Sequence, residues 1–123
     1  MNIFAPILEK VNRGVGVRGS MVVTPDGIMV AAALGHDLEE DRVAGMASKI
    51  IQGARMALKQ LNGTFSRFVL TSVHGRMVFV DVGQMFVVVL TEKNINLEAT
   101  LLEVDAASRK IRAQGEIKIP GLG

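Results

Sequence analysis

The sequence predicts an α+β fold: a five-stranded antiparallel sheet covered by helices on both faces, in the order helix-strand-strand-helix-strand-strand-strand-helix. Three observations predict it. Two stretches, 37–61 and 96–113, repeat apolar residues every three or four positions, the spacing of one helix face. The remaining apolar runs are short and are separated by small glycine-containing turns, the pattern of antiparallel hairpins. Within the last of them, Met85 to Leu90 is apolar at every position. A strand of that kind needs cover on both faces, which makes three layers.

Each element has its own signal. Residues 2–13 read as a short helix, with Ile3, Ile7, Leu8 and Val11 at helical spacing and Pro6 near the first turn, where it is tolerated. Gly14, Gly16 and Gly19 lead into a strand over 17–24. Pro25-Asp26-Gly27 is a turn: Pro presets φ, Asp bonds its own backbone, and Gly supplies a positive φ. A strand over 28–34 completes the hairpin, and Gly35 stops it.

The long helix over 37–61 begins among Asp37, Glu39, Glu40 and Asp41, where the helix dipole favours negative charge, and stops at Asn62-Gly63. Strands over 66–74, 76–82 and 84–91 are separated only by Gly75 and Gly83. The final helix carries Leu97, Leu101, Val104 and Ile111 as its stripe, acids early and Arg109, Lys110 and Arg112 late. The chain reads as a single domain over 1–123, with 113–123 a loosely ordered tail.

Composition narrows the function classes. The residues AVILMFWYC make up 49%, and the 13 glycines raise the apolar share to about 59%, above the ~45–50% typical of globular domains. Disordered chains are polar and charged, so disorder is excluded. With no Cys, so are a disulfide framework and a thiolate metal site. Ile28–Leu34 and Met85–Leu90 fall far short of the ~18 apolar residues of a membrane helix, so no membrane insertion is expected. The opening residues lack the basic start and long apolar stretch of a signal peptide, which leaves a cytoplasmic protein as the expectation. The isoelectric point of 9.3 does not mark a nucleic-acid binder. Net charge is only +2, Cys and Tyr are absent, and the Lys and Arg residues are scattered rather than clustered on one face.

The search for reacting groups is thin. His36 opens the long helix among carboxylates and His74 sits beside Gly75; each reads as a solvated residue, since a metal site needs further convergent ligands. Gly14-Val15-Gly16-Val17-Arg18-Gly19 precedes a strand instead of following one into a helix, the wrong context for a dinucleotide loop. No nucleophile elbow or P-loop pattern occurs. The sequence argues against an enzyme and calls for no cofactor.

The long helix is the unusual element. Ala44, Ala47, Ala54 and Ala57 share it with Gly45, Ser48 and Gly53, and with Met46, Ile50 and Ile51. An ordinary core helix with an alanine-rich stripe fits, and so does an interface helix. The apolar excess and the breadth of the stripe, which Ile51, Met56 and Leu58 flank, favour the interface.

The chain resembles the Roadblock/dynein light chain family, and within it the prokaryotic branch of Ras-like GTPase regulators. The matching residues are Gly19-Ser20-Met21-Val22-Val23, Asp26-Gly27-Ile28, Asp41-Arg42-Val43-Ala44, Gly75-Arg76-Met77-Val78, Phe86-Val87-Val88-Val89-Leu90 and Asn94-Ile95-Asn96-Leu97. They run in order over about residues 4–113. Leu97-Glu98 departs from the family, where many members have Gly at this helix start.

The resemblance implies a homodimer joined through the long helix and the strand after it, here Val43, Met46, Ala47, Ile50 and Ala54 with Phe68 and Leu70. It implies a Ras-like small GTPase as partner. Some members stimulate its hydrolysis by reshaping the GTPase's own loops, so no catalytic residue carries over. The polar side of the helix, Arg42, Lys49, Gln52, Arg55 and Lys59, is the candidate contact for that partner. A small-molecule sensor of similar α+β architecture is the alternative; it would need an aromatic-walled pocket, and the chain has five Phe and no Trp or Tyr.

Overall fold

The computed structural model describes residues 2–63 and 66–118. The elements are α1 (Ala5–Asn12), β1 (Val17–Val23), β2 (Met29–Leu34), α2 (Glu40–Lys59), β3 (Arg67–Thr71), β4 (Arg76–Asp81), β5 (Phe86–Thr91) and α3 (Leu97–Lys118). All five strands form one antiparallel sheet in the order β2-β1-β5-β4-β3. The predicted class, element order and two-sided cover are those observed.

Alternation along the strands divides the core into two layers. On one face α1 and α3 place Leu8, Val11, Val104 and Ile111 over Val22, Val78, Val80, Val87 and Val89. On the other, α2 places Val43, Ala44, Ala47 and Ile51 over Met21, Val23, Phe79, Phe86 and Val88. The central strand β5 sends Val87 and Val89 into the first layer and Phe86 and Val88 into the second, all fully buried. That is the consequence of its unbroken apolar run. The buried hydroxyl of Ser20 is satisfied locally, donating to Asn12 Oδ1 at 2.8 Å and lying 3.2 Å from the Leu8 carbonyl. No helix among the described residues is long and apolar enough to cross a membrane.

The boundaries differ from the sequence expectation where side chains intervene. α2 starts at Glu40, not at residue 37: a turn precedes it in which Leu38 N–H donates to the Gly35 carbonyl at 3.0 Å, and Asp37 lies 2.7 Å from Arg18 of β1. It ends at Lys59, two residues before the expected 61, and Asn62 with a φ of 54° then reverses the chain while Gly63 N–H donates to the Leu58 carbonyl at 2.8 Å. β3 stops at Thr71, since Ser72 already turns the chain: its N–H bonds the Gly75 carbonyl and its Oγ accepts from His74 N–H. β5 starts at Phe86 after a turn in which Gly83 has φ 110° and donates to Asp81 Oδ1.

The largest correction is α3. It continues to Lys118, through residues expected to begin a loose tail at 113. Good helix formers populate that stretch, and the lone Gly115 lies against Met85, 3.6 Å from where a Cβ would stand. The expectation for residues 119–123 falls outside the described residues.

Candidate interaction surface of the long helix and edge strand

The two edges of the sheet are treated differently. β2 packs against α1 and α2, whereas β3 packs chiefly against β4 alone. β3 is nonetheless apolar at its centre, Phe68-Val69-Leu70. On the face that α2 shares, the register sets Phe68 opposite Phe79 and Leu70 opposite Met77, which in turn faces Leu90 of β5. Phe68 stacks on the Phe79 ring with centroids 4.4 Å apart and planes 9° from parallel. Leu70 is 44% exposed. α2 covers the β1–β2 side of this face most fully.

The faces of α2 follow from this position. Its inner face, Val43, Ala44, Ala47 and Ile51, is buried against the sheet. One flank is tied to its own chain: Ser48 Oγ and Gln52 Nε2 both donate to the Pro25 carbonyl, at 2.7 and 3.0 Å, and Arg55 places its guanidinium carbon 5.0 Å from the centre of the Phe86 ring. The opposite flank carries Met46, Ile50, Gly53 and Ala57, at intervals of four, three and four residues. That is the spacing of a helix-on-helix seam. Met46 is 43% exposed, Ile50 is half-buried, and a Cβ added at Gly53 would meet nothing within 4 Å. Arg42, Lys49 and the 71%-exposed Met56 lie on the outer side.

The residues singled out for pairing are therefore separated by the fold. Met46 and Leu70 are exposed, Ile50, Ala54 and Phe68 are half-buried at the rim, and Val43 (5% exposed) and Ala47 (0%) belong to the chain's own core. The last two present no surface, because they lie at the centre of the stripe that meets the sheet. Gly53, Ala57 and Met77 were not singled out for this surface, although the 46-50-53-57 spacing is visible in the sequence. Of the candidate GTPase contacts, Arg42, Lys49 and Lys59 are exposed, Arg42 lying 3.8 Å from Glu39. Gln52 and Arg55 are exposed too, while Gln52 donates to the Pro25 carbonyl and Arg55 lies over the Phe86 ring.

Other chemistry is sparse. No group of three or more His, Asp or Glu residues among those described is placed to hold a metal ion. A recess of about 180 Å³ lies between α3 and the end of β4, lined by Asp81, Asp105, Ser108, Arg109 and Arg112. Arg112 donates to the Asp81 carbonyl at 2.9 Å, and Arg67 to Asp105 at 2.6 Å.

The family model for the Roadblock/LC7 domain matches residues 4–91. The chain belongs to the Roadblock/LC7 family. This Roadblock domain is 32% identical over 108 residues to the uncharacterized protein MJ1340 of Methanocaldococcus jannaschii, an alignment spanning 87% of this chain and 95% of that one. Its fold is shared with Myxococcus xanthus MglB, at a TM-score of 0.86 and 14% identity over 100% of this chain and 97% of that one. It is shared also with the Roadblock/LC7 domain from Streptomyces avermitilis, at 0.78 and 16% identity over 88% and 93%.

Proposed function

We propose that this Roadblock domain is a non-catalytic homodimeric platform for a Ras-like small GTPase. The observation that carries the reading is the apolar edge strand β3, with Leu70 exposed, lying beside the Met46-Ile50-Gly53-Ala57 flank of α2. An apolar strand at a sheet edge is an aggregation hazard unless something covers it. A second copy is the economical occupant. Two β3 strands related by a two-fold pair antiparallel and join the sheets, and the same two-fold brings one α2 flank against the other, with Gly53 and Ala57 permitting close approach. Family membership and the fold shared with Myxococcus xanthus MglB support this assembly.

The GTPase docks on the outer side of the paired helices, where Arg42 and Lys49 flank Met56. The chain supplies surface and orientation, and any hydrolysis rests on residues of the GTPase. The test is Met46→Glu, which buries a charge in the seam from a position that is 43% exposed in the single chain and outside its core. The variant is expected to keep its circular dichroism spectrum, to run as a monomer and to lose binding to a GTP-loaded Ras-like GTPase of the same organism. A folded monomer that binds the GTPase as tightly as wild type contradicts the platform reading.

A further inference from the structure

α3 carries a second seam-like spacing, outside the core. Val104 and Ile111 occupy its buried stripe, and Glu103, Ala107 and Lys110 lie on the flank beside α1. The other flank bears Glu98, Leu102, Asp105 and Arg109, at intervals of four, three and four residues, the spacing of one contact face over about three turns. Leu102 is 72% exposed, and Glu98 and Arg109 are exposed with it. Asp105 is ion-paired to Arg67 of β3 at 2.6 Å. Neither Glu98 nor Arg109 makes an ion pair among the described residues.

The order of the charges decides what fits this face. Glu98 stands as far before the midpoint of Leu102 and Asp105 as Arg109 stands after it. A two-fold axis through that midpoint sets Glu98 of each antiparallel copy opposite Arg109 of the other, and brings the two Leu102 side chains together between the ion pairs. A parallel arrangement opposes Glu98 to Glu98 and Arg109 to Arg109, so the charges admit one direction and reject the other. Asp105, the acid of this face nearest the axis, adds no unpaired charge, because Arg67 neutralises it. We propose that this face of α3 binds α3 of a second copy, antiparallel. It lies on the opposite side of the sheet from α2, so the contact joins dimers to one another and leaves the outer side of α2 free. It rests neither on GTPase binding nor on the α2 seam. With four residues a side it is weak, with a Kd of order 1 mM.

A charge swap tests it. Backbone amide NMR shifts over residues 98–109 are followed in low salt as the full chain is diluted from roughly 1 mM, a readout local to α3. In the wild type these amides are expected to move with concentration, and added salt is expected to weaken the dependence. Glu98→Arg opposes Arg to Arg and Arg109→Glu opposes Glu to Glu; each is expected to weaken the association about tenfold or more. An equal mixture of the two variants, and the doubly substituted chain, restore opposite charges at both pairs and are expected to recover the wild-type dependence. All four positions of the swap lie outside the core, so folding is not at issue. Met46→Glu is expected to keep the α3 shifts, so this contact and the α2 seam fail independently. Wild-type amides that do not move, single variants that associate as the wild type does, or a double variant and mixture no better than the singles each overturn the proposal.

Discussion

Gly27 illustrates what single residues contribute to this fold. Its φ of 93° closes the β1–β2 turn, and its hydrogens face Ser48 of α2, where a Cβ would come within 3.3 Å of the Ser48 Cβ. Ser48 and Gln52 in turn donate to the Pro25 carbonyl, so the turn and the helix hold one another. Gly27→Ala is expected to destabilise the protein by about 1–2 kcal/mol, the usual penalty for an L-residue in left-handed backbone, read as a lower urea midpoint with unchanged slope. The turn itself was legible in Pro25-Asp26-Gly27, because its signal is local. The turn over residues 35–38, with Asp37 paired to Arg18, was not, and α2 starts three residues later than 37. Nor was the division between Val43 and Met46. Both lie on an apolar stripe, and only the position of the sheet decides which is core and which is surface.

At the scale of the element, α2 carries two glycines that test its two exposed sides separately. A Cβ at Gly45 or at Gly53 would meet nothing within 4 Å, so neither is required by packing within the chain. Gly45→Ala is expected to raise stability by roughly 0.5–1 kcal/mol, the entropic penalty of a helical glycine. Gly53 lies on the flank assigned to the second helix. Gly53→Leu is expected to leave the chain folded and to weaken self-association at least tenfold in sedimentation velocity; undiminished association would move the seam elsewhere. The existence and order of the elements were legible from periodicity and glycine turns, and α3 shows where that stops. Its apolar stripe ends at Ile111, yet the helix runs seven residues further, beyond the reach of a pattern based on buried positions.

For the whole molecule, the decisive feature is the asymmetry of the sheet: β2 lies between α1 and α2, and β3, the other edge, packs chiefly on β4. The apolar excess of the composition has the same meaning. Part of it fills the two core layers on either side of β5, and part remains outside as Met46, Met56 and Leu70. The helix was legible as an interface candidate from its breadth. Which flank stands beside β3 was not, because it depends on how α2 lies across the sheet. A second copy is expected to cover that flank and β3 together. Sedimentation equilibrium on the full chain over the micromolar range tests it most directly. The predicted result is a single species of twice the 13.2 kDa chain mass, and a species of 13.2 kDa throughout that range would contradict it.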